Sequence, residues 1–555
     1  MKKILLYTTI IFALFSCAKK ANKTVMSEDT ATISKTDYKA DLHQYFTSNQ
    51  NTIITTPIAN IKLDSLQWVQ DFYKGINYST VWINDSIQLN QNGNRLLQQL
   101  HQSKNYGLDT RLYPLSKLRD LSLKLSEIEK IEDRYAIASQ MDVLLTYFYM
   151  VHGKHLNYGI LQSIEKHTTV PRKLFTVNLP NYLKQAYEAD SIMERLYDLQ
   201  PKHQEYTNLQ KGLEKYLKTA SLSTESINVV NFRKDSILSK SQAKKALVLH
   251  QYLSEENKDS LFVTALEKFQ TEHALKSDGV VGSNTAKALT VSPNEYYQRL
   301  VVDLERWRWK EPFNTTRIYV NIPSYELQLF KNDNLVDKHI VVVGSYKNQT
   351  PEMIDSLKYV IAYPYWNVPR KISVKEILGK IKRDSTYLSR NGYEIMTKDR
   401  ETVDPTSVDW TAVNSHNFNY LIRQGGGSSN ALGLVKFIFP NKDAIYLHDT
   451  PSKRFFKRER RAYSHGCVRV QNALGLAKYL LDEDANKYNI KTVNSSIKEK
   501  KERWIRLNKK VSIYIQYVTT AADDSGSITF YEDVYKLDKP LMKDLNLVIN
   551  SKSKY

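Results

Sequence analysis

Cysteine is nearly absent from this chain: 555 residues hold two, Cys17 and Cys467. Cys17 ends an apolar leader, so no disulfide framework can form and Cys467 stands alone. Long apolar runs are missing as well. Beyond the leader no segment approaches the roughly 20 apolar residues of a membrane-spanning helix. Acidic residues are outnumbered, 59 against 79 basic ones, giving a formal charge of +20 and a pI near 9.4. That balance favours an anionic partner, although ordinary solvated surface accounts equally well for much of the charge. The long helical stretch before residue 240 also lacks a compact catalytic constellation. Its Asp142, His152 and His155 are scattered and read as surface or satisfied core.

The leader runs Met1-Lys2-Lys3, then apolar residues 4–15, then Ser16-Cys17, the pattern of a secretory signal. It resembles a lipoprotein signal with Leu14-Phe15-Ser16-Cys17 as lipobox, Phe15 being an unusual occupant; the resemblance implies lipidation of Cys17. An uncleaved anchor is the alternative, but 12 apolar residues fall short of the roughly 20 a bilayer requires. Either way the bulk of the chain is exported. The lipid-anchored reading makes it a periplasm-facing membrane lipoprotein, inner or outer membrane left open. Export turns the expected anionic partner away from nucleic acid and toward the cell wall, whose peptides carry free carboxylates.

The expected fold class is α+β multidomain. Residues 1–17 are the signal and 18–37 a polar tether. Residues 38–240 carry apolar residues at helical spacing, as in Leu96, Leu97, Leu100 and Met141, Val143, Leu144, Leu145, Tyr147. Residues 241–291 read as three short helices around one glycine turn, with Leu266, Phe269, Leu275, Val280, Ala286 and Leu289 as a small core. Residues 292–314 are a linker helix. From residue 315 the period changes to two, and a β-rich domain runs to 540, followed by a tail, 541–555. Asn332-Asp333-Asn334 supplies a hairpin turn. The domain is interrupted at about 370–419 by a cap, opened by the capping box Ser373-Val374-Lys375-Glu376.

Chemistry concentrates near the unpaired thiol. Strands 435–439 and 444–448 flank a turn, and alternation puts Tyr446 and His448 on one face. A cationic segment with Lys453, Arg454, Lys457, Arg458, Arg460 and Arg461 then leads to Ser464-His465-Gly466-Cys467-Val468-Arg469, after which Asn472 caps a helix. An exported protein that keeps one free cysteine near cations and histidines suggests a nucleophile, since the thiolate is the reactive form. Gly466 allows close backbone approach to a reacting carbonyl, and amides beside Cys467 could donate to an oxyanion. A zinc site of Cys467, His465 and His448 competes, without a convincing fourth ligand.

Several stretches carry a family resemblance. His448 with Ser464-His465-Gly466-Cys467 resembles the signature of L,D-transpeptidases with the YkuD-type catalytic domain. Asn430-Ala431-Leu432-Gly433 and Tyr446-Leu447-His448-Asp449-Thr450 resemble its large periplasmic subgroup, as does Arg469. Gly425-Gly426-Gly427 replaces the proline-containing turn expected there. The segment 82–113 resembles that subgroup's helical scaffold domain. Phe269-Gln270, His273-Ala274-Leu275 and Asp278-Gly279-Val280-Val281-Gly282 resemble the type 1 peptidoglycan-binding domain, Ala274 replacing its usual glycine; an ordinary three-helix spacer is the alternative. Residues 511–517 and 530–535 resemble the subgroup's closing hairpin.

The resemblance implies that Cys467 attacks the third residue of a tetrapeptide stem while His448 moves the proton. A thioester forms, and the side-chain amine of a neighbouring diaminopimelate resolves it into a 3-3 cross-link. His465 would orient the motif or support the oxyanion. Arg469 would hold a substrate carboxylate, with Tyr446, Trp366 and Ser464 lining the substrate site. Peptidoglycan stems are donor and acceptor, cell-wall synthesis proteins are further partners, carbapenems would acylate Cys467, and neither metal nor cofactor is called for. Two alternatives stay open: a carboxypeptidase, cross-link hydrolase or wall-protein attachment enzyme using the same thioester, and a non-catalytic wall-binding lipoprotein.

Overall fold

In the computed structural model, residues 42–44, 53–55, 60–62 and 66–552 are described, apart from 257–258, 385 and 485–486. The signal, the tether and Cys17 lie outside them. The fold is α+β, helical in its N-terminal part and β-rich in its C-terminal part. Among the described residues no helix is long and apolar enough to cross a membrane.

Among the described residues the N-terminal part has seven α-helices between Leu66 and Thr219, the long helix Ile131–Tyr158 among them. That helix is buried on every side from residue 141 to 150. Its one acidic residue there is satisfied: Asp142 accepts hydrogen bonds from the Trp82 amide at 2.7 Å and the Tyr73 hydroxyl at 2.8 Å. Burial nevertheless pushes its carboxyl up to about 6. His152 is equally interior, bonded to the Tyr113 hydroxyl at 2.7 Å, and desolvation lowers it to about 3. Both are satisfied core groups.

Three helices follow, Ser236–Leu249, Phe262–Glu272 and Ser283–Thr290, over a small core containing Leu266, Phe269, Ala286 and Leu289. The core differs by one step from expectation. Val280 is 47% exposed and Val281 is buried in its place, because the turn at Gly279 (φ 64°) rotates the chain. Ala274 holds φ 51°, a left-handed conformation natural to glycine and unfavourable for alanine.

Pro293–Arg308 is no linker. Its last six residues are all buried, and it carries its charges inward. Arg306 donates to Asp303 at 2.7 Å and to Asp538 at 2.6 Å. Asp303 also accepts from the Thr520 amide at 2.6 Å. Asp538 opens the helix Asp538–Lys552, which packs Leu541, Leu545 and Ile549 into the interior, so residues expected as a tail form a structural element.

The C-terminal β-rich part is built on a nine-stranded sheet in the order 462–464, 334–344, 468–470, 447–448, 435–438, 353–362, 503–516, 317–321, 326–331. Strand Asn334–Gly344 pairs with 326–331 through its first half and with 468–470 through its second, so the sheet closes on itself. Asn332 and Asp333 have φ of 50° and 61°, the geometry of a tight hairpin turn. The expected closing hairpin of 511–517 with 530–535 is absent. Residues 503–516 are a central strand, and the hairpin joins Thr520–Ala522 to Ile528–Phe530.

The cap folds on its own core of Ile377, Leu378, Ile381, Leu388, Ile395, Trp410, Phe418 and Ile422. It spans both strand segments Trp366–Asn367 and Leu421–Gln424, which belong to its four-stranded sheet. Ser373 caps nothing: helix begins at Arg370, and the Ser373 hydroxyl donates back to the Pro369 carbonyl at 3.3 Å. At the cap's exit Gly426 is required, since a Cβ there would lie 2.5 Å from the Tyr363 ring. The Asn430 amide donates to the Gly425 carbonyl at 2.7 Å and to Pro364 at 3.3 Å, tying the two crossings together.

Removing the Arg306 guanidinium leaves two buried carboxylates unpaired. Arg306→Met is therefore expected to cost about 3–5 kcal/mol in denaturant unfolding at pH 8. Loss of the cation raises both carboxyl pKa values further above those of the unfolded chain, so the deficit shrinks as the pH falls toward 5 and the carboxyls protonate. A deficit that is equal at both pH values contradicts this account.

Candidate active site

Two short strands build the site. Leu447–His448 and Val468–Val470 pair in parallel, with Leu447 opposite Val468 and His448 opposite Arg469. The Val468 amide donates to the Tyr446 carbonyl at 3.1 Å, which sets Cys467 beside Tyr446. Alternation then sends Leu447, Val468 and Val470 into the core.

Cys467 is half-buried. Tyr446, through its backbone N–H and its hydroxyl, favours the thiolate form of Cys467, and the Trp366 indole of the cap acts in turn on that hydroxyl. The thiol itself lies 3.8 Å from the Ala444 carbonyl. Burial pushes the thiol up, against the Tyr446 donors and the positive charges of Lys436 and Arg469, which pull it down.

His448 is buried, and its Nδ1 donates to the Asp449 carbonyl at 2.5 Å. That bond fixes the proton on Nδ1 and leaves Nε2 as the basic nitrogen. Desolvation, then the neighbouring Arg469, lower its pKa to about 3, so the imidazole is neutral throughout the physiological range. Its ring stands 5.6 Å from that of Tyr446. Among the described residues no hydrogen bond joins His448 to the Cys467 thiol, which precedes the neighbouring strand.

The loop before the thiol is held from within. Gly466 has φ 118°, and a Cβ there would stand 3.2 Å from Ile445 and 3.4 Å from the Gln349 carbonyl. Ser464 accepts from the Gly466 amide at 3.1 Å and donates to the Cys467 carbonyl at 2.5 Å, so its hydroxyl is committed to the turn. This favours a positioning role for Ser464 over contact with a ligand. Thr350 donates to the Gly466 carbonyl at 2.6 Å, and the Tyr535 hydroxyl accepts from the Thr350 amide at 3.0 Å. The Cys467 amide has no acceptor among the described residues and is left for an incoming oxygen.

His465 is directed elsewhere. Its Nε2 meets the Glu376 carboxylate of the cap at 2.5 Å, with both side chains exposed. The zinc grouping of Cys467, His465 and His448 therefore does not assemble, and no cluster of three metal-ligating side chains occurs among the described residues. Arg469 stacks its guanidinium 5.9 Å from the Phe455 ring, and its Nε is buried without a hydrogen-bond partner.

Sequence reading passed over Lys436, Thr350, Tyr535 and Glu376. Lys436 sits on strand Val435–Ile438 opposite His448, with its ammonium 3.8 Å from the Tyr446 ring centroid. A lysine on an alternating strand ordinarily faces water, and only the pairing with His448 reveals otherwise.

Residues 315–495 match the family model of the L,D-transpeptidase catalytic domain, YkuD, and residues 67–213 match that of the scaffold domain. A Haemophilus influenzae protein bearing the provisional name of L,D-transpeptidase is 36% identical over 244 residues, which make up 44% of this chain and 49% of that protein. The chain thus spans about half the length of the curated relative it matches.

With burial prevailing at the thiol, alkylation of Cys467 by iodoacetamide, followed by peptide mass spectrometry, is expected to rise about tenfold per pH unit from pH 7 to 9 without levelling. A plateau below pH 8 means that the cations prevail instead.

Proposed function

We propose that the protein, whose residues 315–495 match the L,D-transpeptidase catalytic domain and whose residues 67–213 match the scaffold domain, forms 3-3 cross-links between tetrapeptide stems of peptidoglycan. The observation that carries this reading is the convergence on Cys467 of the Tyr446 donors, an unoccupied backbone amide and two cations, with a neutral imidazole in the adjoining strand pair.

The chemistry follows from those groups. Cys467 is the nucleophile toward the carbonyl of the third stem residue, a diaminopimelate. His448 Nε2 takes the thiol proton as substrate closes the gap between them, since catalytic hydrogen bonds often tighten only in the complex. The Cys467 amide and the Tyr446 hydroxyl donate to the oxyanion. Collapse breaks the amide bond, His448 protonates the departing amine of D-alanine, and a thioester remains. The side-chain amine of a second diaminopimelate then attacks the thioester, gives its proton to His448 and frees the thiol. Arg469 binds a stem carboxylate with the guanidinium edge that lacks a protein partner. Trp366 supports the wall of the cleft through Tyr446. Gly466 shapes the approach, and His465 orients the motif through Glu376.

In the same reading Cys17 carries lipid, the chain faces the periplasm, the three-helix unit holds wall polymer, carbapenems acylate Cys467, and cell-wall synthesis proteins are partners. Purified protein, beside a Cys467→Ala control, is to be incubated with disaccharide tetrapeptides and the products weighed by mass spectrometry. Cysteine-dependent dimers that have lost one D-alanine are expected. Cysteine-dependent tripeptide monomers transfer the assignment to a carboxypeptidase, and no turnover by either protein overturns the catalytic reading.

A further inference from the structure

Lys436 enters that chemistry only as one of two positive charges near the thiol, with no task of its own, yet its position is unusual. Its neighbours Val435 and Phe437 point into the core, so Lys436 projects from the opposite face of the strand, toward the side chains around His448 and Tyr446. It is only partly exposed. Among the described residues no carboxylate comes within ion-pair distance of it. Glu502 is the acidic group whose field reaches it, and that carboxylate is engaged with the Tyr365 amide at 2.8 Å and the Trp504 indole at 3.0 Å. Arg469, across the paired strands, also lacks an acidic partner. Two cations held in a cleft without anions are costly unless a negative charge forms between them.

Cys467 is the group on which both act. The Lys436 ammonium lies over the face of the Tyr446 ring, 3.8 Å from its centroid, and the hydroxyl of that ring, like the lysine, favours the thiolate. We propose that Lys436 is the positioning cation that stabilises the Cys467 thiolate, acting across the Tyr446 ring. In the ionisation the Sγ–H bond breaks, the electron pair stays on sulfur facing Lys436 and the Tyr446 donors, and the proton passes to Nε2 of His448. His448 cannot supply a standing positive charge of its own, because burial first and then the charges of Arg469, Lys436 and Lys453 disfavour its imidazolium form. The charged or titratable groups facing the thiol are thus Tyr446 and His448 from one strand, Lys436 from the next and Arg469 from its own, with Glu502 behind Lys436.

This rests on the reading of Cys467 as nucleophile, but its test needs no wall substrate, so the two can fail separately. Alkylation by iodoacetamide is to be followed at Cys467 by peptide mass spectrometry from pH 7 to 10 on the full chain, comparing wild type with Lys436→Met, Lys436→Gln, Lys436→Arg and the exposed control Lys398→Met. Both neutral variants are expected to react about tenfold more slowly at pH 8, with the profile displaced upward by about one pH unit. Lys436→Arg and Lys398→Met should stay within about threefold of wild type. Two neutral replacements are used so that a failure of one to fold, judged by thermal melting, leaves the other to decide. A neutral variant that melts normally and is alkylated within twofold of wild type at every pH overturns the proposal.

Discussion

The arrangement of the whole molecule depends on charges buried along one helix, Pro293–Arg308. A charge taken from water is tolerable only where groups of opposite polarity meet it, and here those groups come from the N-terminal helical part, from the segment beyond strand 503–516 and from the C-terminal helix. Glu305 accepts from the backbone amides of Ile160 at 3.0 Å and Leu161 at 3.2 Å, at the end of the long scaffold helix. A Cβ on Gly159 would lie 2.3 Å from that carboxylate, so the approach requires glycine. Arg308 donates to the Tyr106 carbonyl and, at 3.3 Å, meets the Tyr206 hydroxyl. Asp303 receives Thr520 from beyond the last sheet strand, and Arg306 reaches the C-terminal helix. Sliding any unit along this helix would strand a buried ion.

From that helix a run of hydrogen bonds leads to the catalytic loop. The Thr519 hydroxyl sits between Asp538 at 2.8 Å and Asp303 at 3.1 Å, with one proton for the two carboxylates. The adjacent strand end brings Tyr517 to Asp533 at 2.6 Å, and the Tyr535 amide donates to the Tyr517 hydroxyl at 2.8 Å. Tyr535 then bonds the Gly344 carbonyl at 2.8 Å and receives the Thr350 amide, while Thr350 holds Gly466. The positive φ of Gly466 is thereby held by parts of the chain far from it in sequence. The three-helix unit touches the same region from outside: Glu459, on the segment between His448 and Ser464, accepts from the Lys276 amide at 3.1 Å and from Asn284 at 2.6 Å.

What could be read from sequence was what is local. Cys467, Gly466 and Ser464 are contiguous, and Tyr446 with His448 share a face by the period of two, so the nucleus of the site was legible before any fold was known. The spine helix was not. Asp303, Glu305, Arg306 and Arg308 look like a solvated surface, and only distant partners make them interior. Glu376 was read through a local motif, the capping box, yet its carboxylate belongs to a contact 89 residues away in sequence. Val280 and Val281 are adjacent and equally apolar, and the turn alone decides which is buried. Lys436 was missed for a related reason: alternation predicts that it leaves the core, but not that the face it joins is a cleft.

The two histidines of the motif region illustrate how burial divides labour. His448 is kept neutral by burial and by the cations around it, and its Nδ1 bond to the Asp449 carbonyl leaves it one basic nitrogen to offer. His465 is exposed and faces a carboxylate, an environment suited to holding the cap rather than to moving protons at the thiol. Charge at the thiol must then come from groups that stay cationic whatever the imidazole does, which Arg469 and Lys436 can do and a neutral histidine cannot. The same enclosure that disfavours the free thiolate also keeps water from weakening those fields. On the proposed reading of Cys467 as nucleophile, such a balance restrains the thiol at rest and supports it at the moment it ionises.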